Sequence, residues 1–169
     1  MLIRQETQKD YAEVYELVRE AFASAQYADG NEQDLVQALR RGEAYVPELS
    51  LVAEINGKLA GHIMFSKARV GSSTVLALAP LSVRPEFQGQ GVGTALMNRA
   101  HDTARKLGYE YSFVLGSELY YPRVGYIPAD SLGVSAPEGI PPEKFMGLKL
   151  SESAEPISGE LVYAEEFGI

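Results

Sequence analysis

The 169-residue chain contains no cysteine. That excludes a disulfide scaffold, a thiolate metal site and a cysteine nucleophile, and it fits a reducing compartment. Histidine is scarce. His62 and His101 are the only two, and no HExxH or other clustered ligand spacing accompanies them, so no metal cofactor is expected. No apolar run approaches the ~18 residues needed to span a bilayer. Met1–Glu6 shows no apolar core behind a basic flank, so no signal peptide is expected. Basic residues are in deficit: 15 Lys and Arg face 23 Asp and Glu, a net charge of −8. Binding to a phosphate backbone depends on lysine and arginine, so nucleic acid is not an expected partner. These absences together describe a soluble cytoplasmic protein with neither membrane nor nucleic acid as partner.

What remains is an ordinary globular composition, 46% hydrophobic and 22% charged. The length suits a single domain, and no repeat, linker or low-complexity tract divides residues 1–169. Charge is unevenly placed. Residues 110–169 carry 3 basic and 10 acidic residues, a net of −7.

Thr7–Asp10 reads as a capping box, followed by Tyr11, Val14, Tyr15, Val18, Ala21 and Phe22 at helical spacing. Leu2–Gln5 reads as a short strand before it and Ser24–Gly30 as a loop after it. Glu32, Leu35, Val36, Leu39 and Arg40 suggest a second helix that ends near Gly42. Asn56-Gly57 lies between Leu49–Ile55 and Lys58–Lys67, and this pair suits a type I′ turn joining antiparallel strands. Thr74–Val83 is nearly all apolar and reads as a strand buried on both faces. Pro80 inside it cannot donate to a ladder. The strand should therefore lose one neighbour near Pro80, leaving backbone groups open to a ligand. A helix is expected from Val92 to Leu107, stopped at Gly108. A short strand follows over Tyr111–Leu115, with late strands over Phe145–Leu150 and Glu160–Phe167.

The chemistry centres on Arg84-Pro85-Glu86-Phe87-Gln88-Gly89-Gln90-Gly91-Val92-Gly93-Thr94, between a strand and a helix. The first N–H groups of a helix lack intrahelical partners, and the macrodipole places partial positive charge there. Glycines remove the Cβ atoms that would hold a phosphate away from them. The alternative is a tight turn with no ligand. No lysine follows the glycines, so the P-loop pattern is absent. A dinucleotide fingerprint fits partly: Gly89 and Gly91 match, but Thr94 takes the third position. A dinucleotide-binding enzyme therefore stays open as an alternative.

Gln88-Gly89-Gln90-Gly91-Val92-Gly93 resembles the Q/R-x-x-G-x-G/A motif of the GNAT superfamily of N-acetyltransferases, and Leu81-Ser82-Val83-Arg84-Pro85 resembles its entry. Tyr121-Pro122-Arg123-Val124-Gly125-Tyr126 is similar to a second family signature, tyrosine-x-x-x-glycine-aromatic. The whole chain resembles a bacterial GNAT subgroup of mostly unassigned substrates. The resemblance implies an α+β, three-layer GNAT fold. Its mixed, mostly antiparallel twisted sheet has about seven strands, splays between strands 4 and 5, and is flanked by about four helices. It implies acetyl-CoA as acyl donor, with Leu81, Ser82 and Val83 along the pantetheine arm. It makes Gln88, Gly89, Gln90, Gly91, Val92, Gly93 and Thr94 the pyrophosphate cradle. Arg84 and Arg123 become candidate outer phosphate contacts, with a solvated arginine as the alternative for each. A homodimer is one assembly the family allows.

Direct transfer to an amine sets three tasks. A lysine-like amine of pKa ~10.4 is neutral about once in 2,500 molecules at pH 7, a cost of roughly 4.6 kcal/mol. The developing oxyanion needs donors, for which N–H groups near Leu81–Val83 are suited. The leaving thiolate needs a proton. Tyr121 occupies the family tyrosine position and is the candidate acid, with Tyr120 as core packing. No carboxylate lies on Ala77–Leu81, so Glu118, Glu32 and His62 are the candidate bases, beside a water chain with no single base. His62 has a satisfied core histidine as its alternative, and His101 reads as exposed. The resemblance implies an amine acceptor, on a small molecule, protein or peptide. The acidic C-terminal third suggests a cationic or polyamine-like one, with mere solubility as the bland alternative. A non-catalytic acyl-CoA-binding sensor of the same fold is the other alternative.

Overall fold

Asn56 and Gly57 both take positive φ, 53° and 79°, and reverse the chain between two long strands. These are β2 (Tyr45–Ile55) and β3 (Lys58–Val70), with Leu51 opposite Ile63 and Ile55 opposite Lys58. In a computed structural model, residues 1–23 and 30–169 are described. The expected loop over Ser24–Gly30 lies outside them apart from Gly30. β1 (Leu2–Gln5) adds to β2, and β4 (Ser73–Val83) adds to β3, both antiparallel. Beyond β4 come β5 (Tyr111–Leu115), β8 (Phe145–Lys149) and β6 (Ile127–Pro128), giving the order β1-β2-β3-β4-β5-β8-β6. β9 (Gly159–Val162) pairs with the end of β3 and with β7 (Val134–Ser135). The mostly antiparallel arrangement overturns the dinucleotide-binding alternative, which needs a doubly wound parallel sheet.

The described residues hold nine strands and three α-helices rather than about seven and about four. β6 and β7, two residues each, are too short to leave a periodicity, and the other described helical segments are short 3-10 turns of three or four residues rather than a fourth α-helix. The late strand expected over Glu160–Phe167 stops at Val162, and Glu165–Phe167 is such a turn.

The helices cover both faces. α3 (Val92–Lys106) packs Val92, Leu96, Met97 and Ala100 against Ile63, Phe65, Leu76 and Leu78. Gly61 lets it approach: a Cβ there would fall 2.9 Å from Val92 Cγ1. On the opposite face, α1 (Tyr11–Phe22) and α2 (Glu32–Arg40) bury Val14, Leu17, Val18, Val36 and Leu39 against Val52 and Met64. The capping box forms as read, with the Thr7 N–H donating to Asp10 Oδ2 at 2.7 Å. Arg4 clamps the same carboxylate at 2.8 and 2.9 Å.

A buried ion cluster ties α2 to the sheet. Arg40 donates to both Glu6 oxygens at 2.8 and 3.0 Å, and the Tyr45 hydroxyl donates to Oε2 at 3.0 Å. His62 Nε2 lies 3.4 Å from Glu6 Oε1 and 3.1 Å from Ser50 Oγ. Burial alone pushes the Glu6 carboxyl up, but hydrogen bonds from His62 and Arg40 outweigh it and hold the carboxyl well below its ordinary 4.5. A depressed folded-state pKa stabilises the fold above the unfolded value, and that stabilisation fades as pH falls below it. Glu6→Gln should therefore cost about 3 kcal/mol at pH 7. The gap to the unsubstituted protein should narrow once pH drops below about 4.5. Urea unfolding at pH 7, 5 and 3 checks this, and a gap independent of pH contradicts it.

Candidate active site

β4 and β5 are the place where the sheet opens. They pair in parallel only at Leu76–Ser112 and Ala77–Phe113. Past Ala77 the strands diverge, as Pro80 led us to expect. Ile63 faces Leu81 while Phe65 faces Leu78, so Ala79 and Pro80 bulge opposite Met64. Over Leu78–Val83, the β4 edge toward β5 has no partner strand.

The α3 N-terminus faces the same opening. Gly91 caps the helix at φ 82° and Gly89 sits at φ 78°, and a Cβ on either would meet nothing within 4 Å. The Ala95 N–H is bonded back to the Gly91 carbonyl, which leaves the N–H groups of Val92, Gly93 and Thr94 without intrahelical acceptors. No side chain caps them. The loop is braced by its own glutamines: Gln88 donates to the Val83 carbonyl at 3.1 Å and Gln90 to the Glu86 carbonyl at 3.2 Å.

Two tyrosines form the far wall. Tyr121 starts a single 3-10 turn, Tyr121–Val124, which ends at Gly125 with φ 102°. That reversal sends Tyr126 into the core and leaves Tyr121 at the opening. The Tyr121 ring packs on Gly116 and meets Tyr126 edge-on, with centroids 5.8 Å apart. Burial raises the Tyr121 hydroxyl above the ordinary tyrosine value, and the neighbouring Tyr120 adds to it. The Tyr120 hydroxyl lies 2.6 Å from where a Gly93 Cβ would stand. Tyr120 thus shares the cleft wall rather than serving only as core packing.

A cleft of about 1240 Å³ joins these parts. That exceeds the ~1,000 Å³ upper range of single small-ligand pockets. It runs from Gly89, Gly91, Gly93 and Thr94, past Leu78–Leu81 and the two tyrosines, to α2 and the C-terminal turn. Leu81, Val83, Gln88, Val92 and Arg123 also line it. The Val92 side chain is core, so only its amide is offered.

Other expected site residues lie elsewhere. The Ser82 side chain is buried at 1% exposure with an unpartnered hydroxyl and does not line the cleft, and the Gln90 side chain is spent on the loop. His62 is wholly buried among Glu6 and Ser50, away from the opening. Glu118 is exposed, 4.0 Å from Lys144, outside the cleft lining. Arg84 does not line the cleft. It is 6% exposed, donates to the Leu59 carbonyl at 2.8 Å and pairs with Glu20 at 2.7 Å. His101 is buried rather than exposed, and burial lowers it to about 4. Its Nε2 meets the Tyr126 hydroxyl at 3.0 Å, which also meets Ser112 at 2.8 Å. Tyr163, Glu166 and Phe167 line the cleft although no local pattern marks them.

The chain resembles known proteins both in sequence and in fold. The model of the Acetyltransferase (GNAT) family matches residues 11–126. The chain belongs to the GNAT acetyltransferase family. It is 38% identical over 155 residues to an uncharacterized N-acetyltransferase of Escherichia coli, YjhQ, covering 88% of this chain and 83% of that one. Among solved structures, E. coli YhbS in complex with CoA superposes with a TM-score of 0.89 at 28% identity, covering 99% and 92% of the two chains. A GNAT acetyltransferase from Brucella melitensis in complex with acetyl-CoA gives 0.82 at 30%, covering 98% and 97%. The GNAT fold is therefore established for this chain. Among the described residues, no helix is long and apolar enough to cross a membrane.

The hydroxyl shared by His101 and Ser112 yields a stability test. Tyr126→Phe leaves both buried partners short of a bond and should cost about 1–3 kcal/mol. Urea unfolding measures it, and a loss under 0.5 kcal/mol, roughly the scatter of neutral substitutions, contradicts the assignment.

Proposed function

We propose that this GNAT domain transfers an acetyl group from acetyl-CoA directly to a primary amine, in the cytoplasm. The observation that carries the reading is the junction of the unpaired β4 edge with the uncapped amides of Val92, Gly93 and Thr94 in one cleft. The open space over Gly89 and Gly91 suits a diphosphate held by main-chain donors. The free Leu78–Val83 edge suits the amides of a pantetheine arm. Acetyl-CoA supplies a thioester activated toward an amine.

The chain's residues meet the three tasks. Backbone N–H groups along the open β4 edge stabilise charge on the acyl oxygen. Tyr121, its hydroxyl raised by burial, keeps its proton at neutral pH and gives it to the departing sulfur. Glu32 lines the cleft from α2, unlike Glu118 and His62, and proton removal from the amine runs to it through water. As the N–C bond forms the C–S bond breaks, and the sulfur leaves as the free thiol.

Release of CoA thiol from acetyl-CoA should rise above the amine-free blank when primary amines are added. Thiol release equal to the blank, with CoA still raising the melting temperature, would instead favour a non-catalytic acyl-CoA sensor. Tyr121→Phe should lower kcat about 100-fold while CoA affinity holds, and the opposite split makes Tyr121 a binding residue. Gly91→Leu fills the cradle and should abolish the CoA-induced melting shift with circular dichroism unchanged. Retained CoA affinity in this variant removes the cradle assignment.

A further inference from the structure

The cleft is electrically polarised along its length. At the α3 end it carries the bare amides and Arg123, the one cationic side chain among the described residues that line it. Along the wall formed by α2 and the C-terminal turn stand three carboxylates: Glu32 and Asp34 from the first turn of α2, and Glu166 beside Gly42, past that helix's other end. The first two have local partners. Glu32 accepts the Gly30 N–H at 3.3 Å, and Asp34 accepts the Tyr15 hydroxyl at 3.0 Å. Both also sit where the helix dipole favours negative charge.

Glu166 has no such partner. Among the described residues no donor and no counter-ion reaches its carboxylate, and Oε2 is sealed from water. Arg41, Lys67 and Arg69 line a neighbouring recess of about 600 Å³ that Glu166 also borders, yet none of them pairs with it. The carboxylate lies against Gly42, with its Oε1 2.8 Å from where a Cβ there would stand. A part-buried carboxylate without donors is costly, and a cation arriving beside it recovers that cost. Tyr163 and Phe167, ring centroids 4.8 Å apart, line the same stretch and offer aromatic faces to a cation.

The cation this end accepts must remain charged. A reacting amine has to be neutral to attack, and an uncompensated carboxylate beside it would hold it protonated. We propose, building on the acetyltransferase reading, that Glu166 anchors a second positive charge on the acceptor, so that the site selects diamines and polyamines over monoamines. One amino group reaches the acyl carbon near Leu78–Pro80 while the distant ammonium rests against Glu166, Tyr163 and Phe167.

The test compares 1,4-diaminobutane and 1,5-diaminopentane with n-butylamine and n-pentylamine at saturating acetyl-CoA. Wild-type kcat/KM should favour the diamines about tenfold, mostly through KM. Glu166→Gln should bring that ratio close to one, with the CoA-induced melting shift reporting that the variant is folded. Calorimetric titration of 1,4-diaminobutane into the CoA complex gives a readout free of turnover, with binding expected for wild type and loss for Glu166→Gln. Equal kcat/KM for both amine classes, or a preference that survives Glu166→Gln, overturns the anchor and leaves the acetyltransferase intact. Diamine binding that depends on Glu166 without any thiol release supports the anchor and overturns the transferase reading.

Discussion

The parting of β4 from β5 is the constraint on which the molecule's chemistry depends. Buried backbone groups are almost always paired, and a strand in the middle of a sheet has no solvent to satisfy it. Two residues of parallel pairing, at Leu76 and Ala77, hold the sheet together, and the bulge at Ala79–Pro80 turns the rest of β4 away. The resulting row of free donors and acceptors is tolerable only beside water or a ligand with amides of its own. α3 begins beside this gap because Gly61 and the small side chains on its inner face let it lie close to the sheet. One defect in pairing thus sets where the free strand edge lies and what the helix amides face.

The opposite face of the sheet is organised by charge. Glu6, Arg40, His62, Ser50 and Tyr45 form an enclosed polar group between β1, β2, β3 and the last turn of α2. Buried ions of this kind contribute little net stability but tolerate few alternative arrangements. They fix the C-terminal end of α2, and with it the wall that carries Glu32 and Asp34. Arg84, which stands beside the glycine loop in sequence, works on this face as well, holding α1 through Glu20.

Much of this is legible in the amino-acid sequence. The Asn56-Gly57 turn, the α3 stripe with its Gly108 stop and the gap signalled by Pro80 are local patterns, and each follows from backbone chemistry within a few residues. Side-chain roles were less legible, because they depend on which face a residue takes. Ser82 lies within the open segment yet turns toward α1, by strand alternation. His62 and His101 sit on opposite faces of the sheet, and each is consumed by partners far away in sequence. Arg84 looks like a phosphate ligand until Glu20, 64 residues earlier, is placed beside it. Tyr163, Glu166 and Phe167 reach the cleft only because the chain leaves β9 and curls under α2, a tertiary event with no local signature.

The cleft draws its walls from both faces of the sheet, with the glycine loop and α3 amides at one end and α2 and the C-terminal turn at the other. At about 1240 Å³ the cleft has room for more than one small molecule at a time. On the proposed acetyltransferase reading, acyl donor and amine would share the cleft in a ternary complex. Steady-state plots that vary both substrates should then intersect, the mark of sequential rather than ping-pong turnover.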